Sequence, residues 1–417
     1  MSAPRPRLVH VTTTDISLEL LLGPQLEAFV RAGYDVIGMS APGPYVASIE
    51  RRGIRHVALD HATRATAPLR DARALAELVR RFRVLRPAIV HTHNPKPGVY
   101  GRIAARLAGV PVIINTVHGL YAQPADRWRK RAAVYAIERM ADAFGQLDLV
   151  QSRDDAATLR SLRVPTRRLE LLGNGIDLER FSPARVDASE GGSVRDRLRA
   201  EVGVAPGSVV VGMVGRLVRE KGFGEAFEAA RDLTEAGVDV RFVVVGGRDG
   251  DKADTLDDVD IERATAAGVV LVGERLDVER WYRVMDLFVF PSHREGFPRA
   301  PMEAAAMGLP IIASDIRGCR EVVEPDVNGV LVPVRDAAAL VSAIEALAAN
   351  PQRRAAMGTA GRAKAARDFD QQRCIDITLA AYARLLRARD LPAPGSPERH
   401  TDPGFEGTGA GVGRQPT

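Results

Sequence analysis

SVVVGMVGRLVREKG, residues 208–222, decides how this chain is read. An apolar, β-branched run ends at Gly215, a short basic loop follows, and helical periodicity begins near Phe223. Strand, loop and helix in that order are the first half of a βαβ unit. The loop sets Arg216 and Lys221 beside a helix N-terminus, where free amides and the helix dipole favour an anion. A diphosphate fits that arrangement, and so does the plainer reading of a solvated basic loop.

Moving outward, the alternation continues. DVRFVVVG (239–246), VVLVG (269–273), LFVFPS (287–292) and PIIAS (310–314) are separated by helix-length stretches at about 222–236, 256–267 and from 299. Further helices are expected at about 336–349, 351–367 and 371–388. Upstream, LVHV (8–11), YDVIGM (34–39), HVAL (56–59), AIVHT (88–92), VIINT (112–116) and LDLV (147–150) alternate with helical segments such as 70–85, 98–108 and 128–143. Apolar strands separated by amphipathic helices form a parallel sheet covered on both faces. The pattern runs twice, which predicts an α/β chain of two Rossmann-like, doubly wound domains facing each other across a cleft, with ligands beyond the carboxyl ends of the strands. The expected boundaries are a first domain over 1–181, a polar linker with one short helical stretch over 182–207, a second domain over 208–370, a C-terminal helix over 371–388 packing back on the first domain, and a disordered tail over 389–417.

Composition narrows the class. Of 417 residues, 46% are apolar and 27% charged, which suits a folded globular chain. Lys and Arg number 58 against 53 Asp and Glu, a net charge of +5; with no recognised module or continuous basic face, nucleic acid is disfavoured. Cys319 and Cys374 are too few for a disulfide framework and form no CxxC pair. The N-terminus lacks a signal-type apolar stretch, and no window reaches the roughly eighteen apolar residues a bilayer span needs. A cytoplasmic location is expected.

The second motif is PSHREGFPRAPMEAAAMGLPIIAS, 291–314. Glu295 falls on the loop after a strand and Glu303 within the following helix, so two carboxylates can aim into one pocket from different elements. Such a pair either accepts bonds from sugar hydroxyls or performs acid/base work on a glycosidic bond. The small-residue stretch beside Glu303 points to partial burial, where a partnerless carboxylate is costly. In the first half, HTHNPKPG (91–98) and NTVHGLY (115–121) both follow strands. His118 is placed to reach the cleft, and a pKa near neutral would let it share protons. His91 and His93 are read as pointing to opposite sides of the sheet, with His93 facing the cleft. HTH with His118 has neither HExxH nor a completing carboxylate, so no catalytic metal is expected.

Taken together, GRLVREKG, the Glu295–Glu303 spacing and the closing GLP turn resemble the donor-binding domain of retaining glycosyltransferases of family 4, which have the GT-B architecture. The resemblance covers about residues 7–388 and extends to enzymes that assemble bacterial polysaccharides or lipid-linked glycans. It implies that Arg216 and Lys221 grip the donor diphosphate, that Glu303 binds the ribose, and that Glu295, with the amides of Gly296 and Phe297, contacts the donor sugar. It also implies a nucleobase contact for Arg275 and a place beside the reacting sugar for His118. Asn174, Gly175 and Asp177 would form the interdomain turn. A nucleotide sugar, with a UDP-hexose or UDP-N-acetylhexosamine preferred, is then a co-substrate, and no cofactor is needed. The family's glycine pair in the first strand-to-helix loop is replaced by TTTDIS (12–17), which leaves Thr13, Thr14 and Asp15 on the acceptor side.

Two basic clusters bear on partners. RDARALAELVRRFRVLR (70–86) and RWRKR (127–131) set Arg beside apolar anchors, which suits an anionic membrane surface and a lipid-linked or other carbohydrate acceptor. For 70–86, a packed helix with a solvated basic face is an equal reading. Two other functions share the architecture: a non-hydrolysing nucleotide-sugar epimerase and a non-catalytic nucleotide-sugar binding protein.

Overall fold

The computed structural model describes residues 5–394, apart from 64–66, 94, 123–125, 190–192, 251 and 253. Most of the expected tail, 395–417, lies outside the described residues.

Two wholly parallel sheets organise the chain. The first holds β1 (Arg7–Thr14), β2 (Asp35–Ala41), β3 (Arg55–Ala58), β4 (Ile89–His93), β5 (Val112–Val117), β6 (Leu147–Val150) and β7 (Leu169–Leu171), in the order β3-β2-β1-β4-β5-β6-β7. The second holds β8 (Val209–Val214), β9 (Val240–Val245), β10 (Val270–Gly273), β11 (Leu287–Phe290), β12 (Ile311–Ser314) and β13 (Gly329–Val332), in the order β10-β9-β8-β11-β12-β13. In each, the order reverses beside the first strand, at β1/β4 and at β8/β11, and a crevice opens at such a switch point. Two Rossmann-like units therefore face each other across a cleft.

Side-chain alternation divides each sheet into two cores. On the first sheet Val9, Val11, Val90 and Ile113 pack beneath the helices Pro68–Leu85 and Lys96–Leu107. Leu8, Ile89 and Ile114 face the other way, and that face is covered by the C-terminal helix Gln371–Arg387 through Cys374, Ile375, Ala381, Tyr382 and Leu386. The last helix thus belongs to the first core, although it follows the second domain in the chain.

The stretch 182–207 carries two helices, Pro183–Ser189 and Val194–Glu201. Ser193 caps the second, its hydroxyl accepting from the Asp196 amide at 3.2 Å. Val186, Val194 and Leu198 join the core of the second sheet. Arg195 and Arg199 both reach Asp286, whose carboxylate also accepts the Val210 amide at 2.8 Å. Val202 and Val204 pack in that core too, and polar composition hid this because only a few side chains of the stretch needed to be apolar to dock it.

The chain crosses between domains twice, side by side. Ile176 donates its amide to Phe369 O (2.9 Å), and Gln371 returns one to Ile176 O (3.1 Å). Asn174 Nδ2 donates to Phe297 O at 2.9 Å, and Asp177 Oδ1 accepts the amides of Glu179 and Arg180 at 3.0 Å each. A buried tie completes the junction: Arg317, from the second domain, meets Asp155 of the first at 2.7 Å and donates to Leu120 O at 3.1 Å. Asp155 is fully buried, and burial raises its pKa despite the guanidinium. Arg317→Ala strands that carboxyl and is expected to cost about 3–5 kcal/mol, measurable by denaturant unfolding.

Candidate active site

Two loops from opposite domains meet at the cleft. One follows β5 and carries His118 and Gly119; the other follows β11 and carries Glu295 and Gly296. A Cβ on Gly119 would lie 2.7 Å from Gly296 Cα, and one on Gly296 would overlap the His118 carbonyl. Gly119 also has φ +126°, a conformation L side chains rarely adopt. Glycine at both positions is what lets the two backbones touch.

Within the second domain, the loop after β8 is stitched to the loop after β11. The His293 amide donates to Glu220 O at 2.8 Å, and His293 Nε2 lies 2.8 Å from Glu225. Lys221 forms an ion pair with Glu295, and Ser292 Oγ lies 2.8 Å from the same carboxylate oxygen. Lys221 Nζ also sits 5.6 Å from the centre of the Phe290 ring. Strand ends at the switch point thus deliver a cation and a carboxylate to one spot, both largely shielded from water, where their charges act strongly.

The other donor-side residues are held by their own partners. Arg216, half exposed, pairs with Asp249. Glu303 accepts from Tyr282 Oη at 2.9 Å, which is the partner a buried carboxylate needs; burial raises its pKa. Arg275 lies 4.9 Å from the ring centre of Trp281 and 3.7 Å from Asp277. Trp281 and Tyr282 share the short helix Val278–Tyr282, so one element braces both Arg275 and Glu303. Phe297 packs edge-on against Phe369, and its carbonyl takes the Asn174 bond described above.

On the first-domain side, the Asp15 carboxylate accepts the amides of Ile16 (2.9 Å) and Tyr45 (2.7 Å), fixing the loop after β1 against the loop after β2. Thr13 and Thr14, at the end of β1, are half-buried, and Thr14 Oγ1 lies 3.4 Å from Ser17 Oγ.

The histidines differ from expectation. Residues two apart in a strand share a face, so His91 and His93 stack together, ring centres 4.6 Å apart, while Thr92 takes the opposite side. His93 does not face the cleft: it is buried behind His118, to which it bonds at 2.9 Å. Nor does His118 have a near-neutral pKa, because burial lowers it to about 4, partly offset by the hydrogen bond that it donates to the Gln151 side chain. His118, Thr116 and Gln151 line one interdomain pocket with Asn174 and Arg299. His10, His91 and His93 bring nitrogens within 4.8 Å of one another, a spacing that a metal ion could also use, but these nitrogens already bond to neighbours.

Sequence reasoning passed over Ser292, Tyr282, Arg317 and His10. His10 carried a usable signal: a polar residue inside the apolar run Leu8–Val11, in register with His91.

Comparison with known proteins gives the same class as this geometry. A model described as Glycosyltransferase Family 4 matches residues 25–180, and one described as Glycosyl transferases group 1 matches 194–364. The chain belongs to the GT-B glycosyltransferases related to those of bacterial polysaccharide assembly. It is similar to the UDP-Gal:alpha-D-GlcNAc-diphosphoundecaprenol alpha-1,3-galactosyltransferase of Escherichia coli, with 32% identity over 288 residues, covering 66% of this chain and 70% of that protein. It is also similar to the capsular polysaccharide biosynthesis glycosyltransferase CapM of Staphylococcus aureus, at 27% identity over 91% of this chain and 98% of that one. Among solved structures, Anabaena HepE in complex with UDP and glucose superposes with a TM-score of 0.74 at 20% identity, over 91% of this chain and all of that chain (100%).

Proposed function

We propose that this enzyme is a retaining family 4 transferase that moves a hexosyl or N-acetylhexosaminyl group from a UDP-sugar to a lipid-linked or polysaccharide-precursor acceptor. The observation that carries this reading is the Lys221–Glu295 pair, set one residue from the point where Gly296 touches the His118 loop. Donor binding would exchange that ion pair for substrate contacts. Lys221, with Arg216 released from Asp249, neutralises the departing diphosphate, and Glu295 accepts bonds from the sugar hydroxyls with the Gly296 and Phe297 amides. Glu303 holds the ribose, Arg275 lies towards the base, and His118 approaches the reacting sugar from the acceptor domain. Thr13, Thr14 and Asp15 border the acceptor. A UDP donor and a diphosphate-lipid acceptor are the substrates in the name of the Escherichia coli relative, which supports both choices. The chemistry assigned to these residues uses no metal or cofactor. The anomeric configuration of the product, read by NMR from an anomerically pure α-UDP-sugar, tests retention: an α-linked product is expected, and a β-linked product refutes it.

No helix among the described residues is long and apolar enough to cross a membrane. An enzyme acting on a lipid-linked sugar therefore has to approach the bilayer surface, and the helix Trp128–Asp142 is suited to that task. Trp128 is 67% exposed, Arg129 stacks 5.4 Å from its ring centre, and Ile137 and Met140 are exposed further along. The helix Pro68–Leu85 buries Leu78 and Phe82 under the sheet and presents its basic face to solvent, with Leu69 and Val84 exposed near its two ends. Each basic residue near an anionic surface contributes about 1 kcal/mol, screened by salt. Changing Arg127, Arg129, Lys130 and Arg131 to Gln is expected to weaken sedimentation with anionic vesicles and flatten its salt dependence. Equal binding of the wild type to neutral and anionic vesicles would remove this surface from the proposal.

A further inference from the structure

Behind the cleft runs a continuous line of side chains, of which only His118 has been given a role. Alternation puts His10, His91, His93 and Thr116 on the face of the first sheet that the C-terminal helix covers, and that helix lowers Tyr382 onto them. Thr116 Oγ1 lies 2.7 Å from His91 Nε2, and His91 Nδ1 lies 2.5 Å from Tyr382 Oη. Tyr382 Oη lies 3.2 Å from His10 Nε2, His10 Nδ1 is 3.0 Å from His93 Nε2, and His93 Nδ1 is 2.9 Å from His118 Nε2. Both ends of the line, Thr116 and His118, open on the same interdomain pocket.

The donor count makes the line directional. Burial pushes the pKa of His10, His91 and His93 well below the usual histidine value and that of Tyr382 well above the usual tyrosine value, so each ring is neutral. A neutral imidazole has one N–H and one lone pair, and a phenol has a single proton. If His91 donates to Tyr382, and Tyr382 uses its one proton on His10 rather than burying it unbonded, then His10 donates to His93 and His93 to His118, which leaves the His118 proton on Nδ1. If His118 donates from Nε2, every bond reverses. No ring on the line can choose its tautomer alone, and the Gln151 amide that also bonds His118 can follow either choice, since it offers an oxygen to accept or an NH2 to donate.

We propose that Tyr382, on the C-terminal helix, is a positioning residue that fixes through His10 and His93 which nitrogen of His118 carries its proton. A buried Tyr on a helix contributed by the far end of the chain would then set the hydrogen-bonding sense of a cleft side chain. The consequence for transfer rests on the placement of His118 beside the reacting sugar; the tautomer coupling itself does not.

Long-range proton–nitrogen NMR correlations on histidine-labelled protein test the coupling. The wild type should show one tautomer for His118, and for His10 and His93 the same sense. Tyr382→Phe removes the hydroxyl and should leave His118 a mixture of two tautomers, with turnover lowered about two-fold or more, in proportion to the fraction of the wrong tautomer, and UDP affinity unchanged. His10→Phe cuts the same line at another point, with a ring that can stack on Phe29, and should do likewise if Tyr382→Phe folds poorly. A single, unchanged His118 tautomer in either folded variant, or a tautomer mixture in the wild type, overturns the proposal. So does a divalent ion, added alone, that perturbs the His10, His91 and His93 signals as ligands, since ligation takes the same nitrogens. Scrambled tautomers with wild-type turnover uphold the coupling and refute instead the placement of His118 at the reacting sugar.

Discussion

Lys221→Ala is expected to lose transfer by about 100- to 1,000-fold, or roughly 3–4 kcal/mol of activation free energy, while remaining folded. The side chain is the cation that the loop after β8 brings to Glu295, and it is shielded enough for its charge to count fully against a leaving diphosphate. The fold should survive, because the loop backbone is held independently through Glu220 O and Asp254. Glu295→Gln keeps the shape but removes the charge that orients Lys221, and it should also lose most turnover. Steady-state kinetics on variants with wild-type circular dichroism decide the matter. Near-normal transfer by folded Lys221→Ala would take this residue out of the mechanism.

The second large effect is expected from a single methyl group. In Gly296→Ala the new Cβ runs into the His118 carbonyl, a backbone atom that cannot rotate away. Relief requires the two loops to part, and overpacking of this kind costs about 1–3 kcal/mol. Transfer should fall roughly 10- to 100-fold, since 1.4 kcal/mol is a factor of ten and the lost contact is the one that joins the two half-sites. UDP affinity should stay close to that of the wild type, because the diphosphate loop lies in the second domain alone. Calorimetry with UDP beside turnover separates the two quantities. Unchanged turnover would mean that the observed loop contact is not the reactive geometry.

What the sequence made legible follows from how far each signal reaches. Strands such as Val209–Val214 and Val240–Val245 are buried on both faces, so uninterrupted β-branched runs betray them. β7 and β13 are three and four residues long at sheet edges; β7, Leu-Glu-Leu, has no such run, and the Val-Leu-Val of β13 is too short to stand out after an Asn-Gly turn, so neither is among the expected strands. The Lys221 and Glu295 loops could be found because each directly follows an apolar strand. Their mutual ion pair could not, because it depends on the order β8-β11, which brings together residues 74 positions apart. His91 and His93 were assigned to opposite faces, although a period of two puts them on one. The near-neutral pKa expected of His118 failed for a different reason: burial beneath a second domain leaves no mark on the local sequence. Tyr382 was the least accessible of all, since its partners are fixed only when the last helix folds back over the first sheet.

The central claim is acceptor-dependent sugar transfer from a nucleotide in the cleft between the domains. Its most direct test is the release of UDP from a panel of UDP-hexoses and UDP-N-acetylhexosamines, with and without a lipid-diphosphate-linked sugar, in wild-type and Lys221→Ala protein. The expected result is release that requires the acceptor, is matched by the glycosylated product, and disappears in the variant. Isomerisation of the donor without any acceptor would make the protein an epimerase, and tight donor binding with no release across the panel would make it a binding protein; either outcome contradicts the account.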